Sequence, residues 1–281
     1  MDIKSIHNLF LKCNSVSIDT RKIEPNSLFV AIKGVHFDAN TFAVEALEKG
    51  ASYVIIDDEA YFIDQRTILV DNSLIALQEL AKFHRQYLKL PIIALTGSNG
   101  KTTTKELIYA VLSKKYKTKA TVGNLNNHIG VPLTLLSFNT ETEIGIVEMG
   151  ANHKKEIEFL CGLATPDYGY ITNFGKAHLE GFGGREGIAK AKGEIFSGLL
   201  PNGTAIINLD DEFADYHKTL CDNYKILTFS TKNNNASIYA SDIKRLAGGA
   251  WAFNLHIAEQ STPIQLQLIG QHNVANALAA A

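Results

Sequence analysis

The chain has 281 residues, 46% of them hydrophobic, and a formal net charge of −2 at pH 7. That length exceeds one ordinary core and predicts two domains, while the near-neutral balance leaves no basic footprint for nucleic acid. Three cysteines at unpatterned spacing, Cys13, Cys161 and Cys221, exclude a disulfide framework and fit a reducing, cytoplasmic compartment. The first apolar run is broken by Lys12, so no secretory signal is expected. No apolar stretch reaches the roughly 18–20 residues of a membrane span.

Residues 27–32 (SLFVAI) and 52–57 (SYVIID) read as short strands rich in β-branched and aromatic residues. Between them, residues 41–49 carry apolar positions at helical spacing and stop at Gly50. A longer helix over about 73–90 runs into Pro91. These elements predict a small α/β domain, 1–85. From Ile92 the pattern changes. Strands at 92–96, 144–150, 168–174 and 203–210 alternate with helices at 102–115, 154–162 and 185–200. Near-continuous apolar strands separated by helices predict a mostly parallel sheet flanked by helices, in a second domain, 86–281. The tract 226–269 reads as antiparallel strands at the sheet edge. GQHNVANALAAA starts a helix that meets no glycine, lysine or proline by Ala281, and a truncated chain is the expectation.

The segment TGSNGKTTTK (96–105) follows the strand 92–96 and opens a helix. Strand, glycine turn and helix aim backbone N–H groups and a helix N-terminus at one point, which suits a phosphate. Gly97, Ser98, Asn99, Gly100, Lys101, Thr102 and Thr103 are the candidate nucleotide-binding residues. Lys101 supplies a cation for the β- and γ-phosphates, and Thr102 a hydroxyl for Mg²⁺. Leu95 stands where the commoner pattern G-x-x-x-x-G-K-[ST] has its first glycine. No N-K-x-D motif accompanies the loop, which argues against a GTPase. Glu148 ends the strand at 144–148, where it can face the same ion as Thr102 across neighbouring strand ends.

These residues also carry a resemblance. TGSNGKTTTK, NLNNHIGVP (124–132), EMGA (148–151), TNFGKAHLEGFGG (172–184), AKGEIF (191–196) and GQHNVANALAA (270–280) occur in this order. Together they resemble the Mur ligases of peptidoglycan synthesis. SIDTRKI (17–23) and SLFVAIKGVHFDAN (27–40) are similar to the family's uridine-nucleotide domain. EMGA and AHLEGFG favour the branch that adds D-alanyl-D-alanine to UDP-MurNAc-tripeptide (UDP-N-acetylmuramoyl-tripeptide) over the branch that adds meso-diaminopimelate or lysine.

The resemblance implies that ATP phosphorylates the tripeptide's terminal carboxyl, and that the amine of D-alanyl-D-alanine attacks the acyl phosphate. Two anions must approach each other, so Lys101 and two Mg²⁺ ions are implied to neutralise them. Thr102 and Glu148 are implied to hold one ion, and His178 and Lys192, the latter as a carbamate, to serve the second. A lysine carbamate offers hard oxygens, which Mg²⁺ prefers, and its formation needs a neutral amine. Lys190 is a near competitor, and the motif AKGEIF selects Lys192. Asn276, then Asn273, are implied at adenine, with helix capping as the alternative. Asn126 and Asn127 are implied near the γ-phosphate, with loop structure as the alternative. Thr20, Arg21, Lys33 and Gly34 are candidates for uridine or diphosphate contact, and a structural salt bridge is the alternative for Arg21. The family's D-G-H reads Asp38-Ala39-Asn40 here. A third, carboxy-terminal domain of the family is missing from these residues. A monomer is expected. The rival readings are a related ligase adding another amino acid, and a nucleotide-binding module without ligation.

Overall fold

The structure is a computed structural model and describes residues 1–175, 182 and 184–281. The chain forms two compact units. The first comprises Met1–Lys89 and Val122–Thr140, the second Leu90–Thr121 and Glu141–Ala281.

The first unit holds a parallel sheet of four strands in sequence order. They are β1 (Ser15–Ser17), β2 (Ser27–Val30), β3 (Ala51–Ile56) and β4 (Thr67–Leu69). The apolar run of β2 is buried along its whole length, as expected for a strand covered on both faces. Helix Ala43–Glu48 buries Ala43 and Ala46 on a core of Phe29, Ala31, Val54 and Ile56. Helix Ser73–Leu88 begins where the Asn72 side chain accepts from the Ile75 N–H at 2.9 Å. It ends at Lys89, in the left-handed region with φ 54°, just before Pro91 forbids continuation. Helices Ile3–Phe10 and Gly130–Leu136 both pack on it.

Residues 122–140 therefore pack with the first unit, although the sequence boundary at 85/86 placed them in the second. Their short helix buries Val131, Leu135 and Leu136, and its seven residues are too few to show a periodic stripe.

The second unit is built on a nine-stranded sheet. Its strands are β5 (Ile92–Thr96), β6 (Thr118–Ala120), β7 (Ile144–Glu148), β8 (Tyr168–Ile171), β9 (Thr204–Asn208), β10 (Lys225–Ser230), β11 (Ile238–Arg245), β12 (Trp251–Ile257) and β13 (Gln260–Leu266). Their order is β13-β12-β11-β10-β9-β8-β5-β7-β6. Pairings from β6 through β11 are parallel, and those joining β11, β12 and β13 are antiparallel.

The tract 226–269 was expected to be antiparallel throughout, and β10 departs from that. Helix Ala214–Thr219 makes a crossover that lays β10 parallel to β9. That helix buries only Ala214 and His217, so its sequence carries little periodic signal. Helix Lys101–Leu112 and the final helix, His272–Ala280, pack together, burying Ile108, Val274 and Leu278 with Leu95, Tyr170 and Phe229.

Candidate functional site

In the sheet order, β5 lies between β7 and β8, while the chain reaches β7 only after β6 on the far side. The carboxyl ends of β5, β7 and β8 thus meet at a topological switch point, the usual ligand crevice of such sheets. The glycine loop leaves β5 there.

Both glycines of the loop are required by geometry. A Cβ on Gly97, at φ 150°, would fall 1.8 Å from Thr172 Oγ1. Gly100, at φ 76°, is the left-handed residue that opens helix Lys101–Leu112. The first-turn N–H groups of Lys101, Thr102 and Thr103 have no partner within the helix and point out of its positive end.

Lys101 Nζ donates to Gly97 O at 2.6 Å. Burial lowers its pKa from the ordinary lysine value, partly offset by the Glu148 carboxylate. Thr102 Oγ1 donates to Glu148 Oε2 at 3.1 Å. The β5–β7 register sets Leu95 against Glu148, and the Glu148 N–H donates to Thr121 Oγ1 at 2.9 Å. Glu148 is only 2% exposed, so its carboxylate is held at the loop rather than on the surface. Beside the helix N-terminus a cavity of about 470 Å³ opens between Thr102, Thr103, Glu106 and the strand end Gln265–Leu268.

Ser98 and Asn99 take a different part from the rest of the loop. The Ser98 N–H donates to Asn173 O at 3.0 Å and the Asn99 N–H to Asn173 Oδ1 at 3.0 Å. Two of the amides expected to face phosphate are therefore bonded to the end of β8.

Lys192 lies on helix Arg185–Ser197 and is 3% exposed, whereas Lys190 is exposed. Burial, then the nearby Lys101 charge, pushes the Lys192 amine down to about 8. Its motif partner Glu194 accepts from the Lys155 and Glu158 N–H groups at 2.9 and 3.1 Å. It thereby caps helix Glu156–Ala164 and ties it to the lysine's own helix. His178 lies outside the described residues. Among the described residues, no three His, Cys, Asp or Glu side chains cluster as a metal site.

Asn273 and Asn276 are both buried in the final helix. Asn276 Nδ2 donates to Asn273 Oδ1, and Asn273 Nδ2 to Ile269 O, each at 2.9 Å. A Cβ on Gly100 would lie 3.6 Å from Asn276 Nδ2, so the helix start reaches the glycine loop. Asn273 has a structural task, and Asn276 stands against the loop.

The remaining candidates belong to the first unit. Arg21 forks onto Asp19, with Nε to Oδ1 at 2.9 Å and Nη2 to Oδ2 at 2.8 Å. These bonds hold the Asp19 carboxyl down at about 2. Thr20 starts a short turn there, and its carbonyl accepts from Lys49 Nζ at 3.2 Å. Lys33 pairs with Asp38 at 3.1 Å, and the Gly34 N–H donates to Phe37 O at 2.7 Å. Asn127 Oδ1 accepts from the Ile129 and Gly130 N–H groups at 3.1 and 2.8 Å, which closes the turn into its helix. The Asn126 N–H donates to Asn124 O at 2.8 Å. Asn40 is wholly buried and donates to Asp38 Oδ1 and Asp57 Oδ1, both at 2.7 Å. The departure from D-G-H thus stitches the end of β3 to the turn after β2.

Sequence reasoning missed Thr121, Thr172, Asn173 and Glu194. For Thr172 and Asn173 the available signal was position, just past β8, which neighbours β5, and for Glu194 its place inside AKGEIF; Thr121 follows β6, two strands from β5, and no signal marks it.

Strand, glycine loop and helix define a P-loop α/β protein. Two family models match, the Mur ligase middle domain over residues 95–281 and the Mur ligase family catalytic domain over residues 12–85. The chain belongs to the Mur ligase family. It is 42% identical over 268 residues to the UDP-N-acetylmuramoyl-tripeptide–D-alanyl-D-alanine ligase of Escherichia coli (strain K12), covering 95% of this chain and 59% of that protein. Against the ligase of that name from Bacillus subtilis (strain 168), identity is 40%, covering 95% and 57%. Among solved structures, MurF from Acinetobacter baumannii superposes with a TM-score of 0.87 at 34% identity, covering 99% of this chain and 63% of that one. MurF ligase from Thermotoga maritima in complex with ADP gives 0.81 at 29%, covering 96% and 62%. The chain spans about three fifths of the length of these curated relatives (59% and 57%). No helix among the described residues is long and apolar enough to cross a membrane.

Proposed function

We propose that the whole protein is an ATP-dependent ligase that adds D-alanyl-D-alanine to UDP-MurNAc-tripeptide. The observation that carries this reading is the Thr102–Glu148 bond at the mouth of a glycine loop, in a chain whose curated relatives bear that ligase name. The first unit is the proposed UDP-MurNAc-peptide domain and the second the ATP domain.

In this reading a carboxylate oxygen of the tripeptide attacks the γ-phosphorus and ADP leaves. The amine of D-alanyl-D-alanine then attacks the acyl carbon, phosphate leaves, and the amine's extra proton is lost to solvent. The residues suit that chemistry. Amides at the start of helix Lys101–Leu112 hold phosphate oxygens, and the Lys101 ammonium sits against them as a local cation. The Asn276 amide beside Gly100 reads adenine, whose edge offers an adjacent donor and acceptor. Thr20, Arg21, Lys33 and Gly34 serve the uridine diphosphate, and Asn126 and Asn127 the tripeptide substrate.

The donors at Thr102 and Glu148 suit one Mg²⁺ ion, and a second is part of the proposal. Thr102 and Glu148 present a hydroxyl and a carboxylate oxygen in contact, the hard donors Mg²⁺ takes. Lys192 is a buried amine whose lowered pKa suits carbamate formation, and with His178 it would hold the second ion. When bound, such ions neutralise charge between the carboxylate and the γ-phosphate.

The test is phosphate release by the whole protein with UDP-MurNAc-tripeptide and ATP present. Release is expected to depend on D-alanyl-D-alanine. Release that ignores the dipeptide, or that prefers meso-diaminopimelate or L-lysine in its place, overturns the reading.

A further inference from the structure

We propose that Asn173 is a positioning residue that sets the shape of the glycine loop, so that only its second half faces the nucleotide. The proposal rests on the nucleotide-binding reading above. A carboxamide has an acceptor and a donor side by side, and Asn173 spends both on one residue of the loop. Its Oδ1 accepts from the Asn99 N–H at 3.0 Å, and its Nδ2 donates to Asn99 O at 2.7 Å. This reproduces with a side chain the paired bonds that two facing strand residues exchange.

Two further bonds fix the same stretch. Thr172 Oγ1 donates to Asn99 O at 2.6 Å, and the Ser98 N–H donates to Asn173 O at 3.0 Å. The approach is close from both sides. A Cβ on Gly97 would meet Thr172 Oγ1 at 1.8 Å, and one on Gly175 would meet Asn99 Nδ2 at 2.8 Å and Ser98 Cβ at 2.9 Å.

The consequence is a division of labour along the loop. Residues 98 and 99 are pinned to the carboxyl end of β8 with their N–H groups turned away. Gly100 then reverses the chain at φ 76°, and the unpaired N–H groups of Lys101, Thr102 and Thr103 follow at the helix start. A loop held in this shape before binding loses little conformational freedom when phosphate arrives, whereas an unpinned loop must be ordered by the ligand. Among the side chains, only asparagine offers both groups at this reach. Aspartate keeps the acceptor but sets a carboxylate against Asn99 O, and alanine loses both.

The experiment compares the chain with Asn173→Ala and Asn173→Asp. Each is titrated by calorimetry with the Mg²⁺ complex of the imido analogue of ATP and, separately, with AMP, and its thermal midpoint is recorded without ligand. Asn173→Ala is expected to bind the triphosphate at least tenfold more weakly while its AMP affinity stays within twofold, so that the triphosphate preference collapses. Asn173→Asp is expected to fall at least fivefold, and it decides the matter if the alanine variant does not fold. A role confined to stability would lower the midpoint and leave the triphosphate-to-AMP ratio unchanged, and that result overturns the proposal. Unaltered chain that binds neither nucleotide overturns the nucleotide reading itself, a distinct outcome.

Discussion

The hydroxyl of Thr102 donates to the carboxylate of Glu148 at 3.1 Å, joining the helix that leaves β5 to the end of β7. In the proposed reading, these two side chains would hold a divalent ion. Glu148→Gln keeps the shape and an acceptor but removes the charge. The expected outcome is a loss of at least tenfold, about 1.4 kcal/mol, in the gain that Mg²⁺ brings to ADP binding. Metal-free ADP should bind as before or better. Calorimetry with and without Mg²⁺ checks this, and an undiminished Mg²⁺ gain would remove Glu148 from the ion site.

How far the sequence foretold this site follows from what each residue must satisfy. Gly97, Gly100, Lys101 and Thr102 are legible because a phosphate loop needs those residue types at fixed spacing between a strand and a helix. Glu148 is legible from its place at a strand end. Asn173 was not, because an asparagine after a strand signals a turn as readily as a clamp. The four short parallel strands of the first unit were half read. β2 and β3 have apolar runs, while β1 and β4 span three residues each and fall below any periodicity. The structural tasks of Arg21 and Asn127 depend on partners two or three residues away, and no spacing rule separates them from ligand contacts.

Lys192 gives a chemical prediction. With its amine pushed down to about 8 by burial and the Lys101 charge, about half is neutral at pH 8 and about a tenth at pH 7. Chain equilibrated with ¹³C-bicarbonate should show a carbamate carbon resonance that weakens as pH falls below 8. Lys192→Arg should abolish it. A resonance that survives in the variant would place the carbamate elsewhere.

His7 and His84 give a pH dependence in the first unit. His84 Nε2 lies 3.0 Å from Phe138 O, so it donates there. Its Nδ1 must then accept from His7 Nε2, also at 3.0 Å. Burial, then His84, lowers the His7 pKa from 6.5 to about 4. Above 6.5 neither state binds the proton, and below about 4 both do. Between these limits the unfolded chain binds more, so stability falls as pH drops from 6.5 to 4, by up to about 1.4 kcal/mol per unit from this residue. His7→Phe keeps the ring packed on Phe83 and Tyr87 but loses the bond. It should cost about 1 kcal/mol at pH 7 and flatten the acid slope. Urea unfolding at pH 7 and pH 5 measures both effects.

The final helix gives a stability prediction. Asn273→Ala removes the donor to Ile269 O and the acceptor of Asn276 Nδ2, leaving the buried Asn276 amide unpaired. A cost of about 2 kcal/mol is expected, read as a lower urea midpoint with an unchanged slope. A change below about 0.5 kcal/mol would mean that the amide finds another partner.

The bond from His84 to Phe138 joins residues that lie on opposite sides of Leu90–Thr121 in the chain, a stretch that belongs to the other unit. A gene cut after codon 89 would therefore yield an incomplete protein, with a histidine facing empty space and a helix stripped of its cover. The smallest self-sufficient piece should instead be a splice in which a flexible linker joins Lys89 to Val122 and translation ends at Thr140, with Leu90–Thr121 deleted.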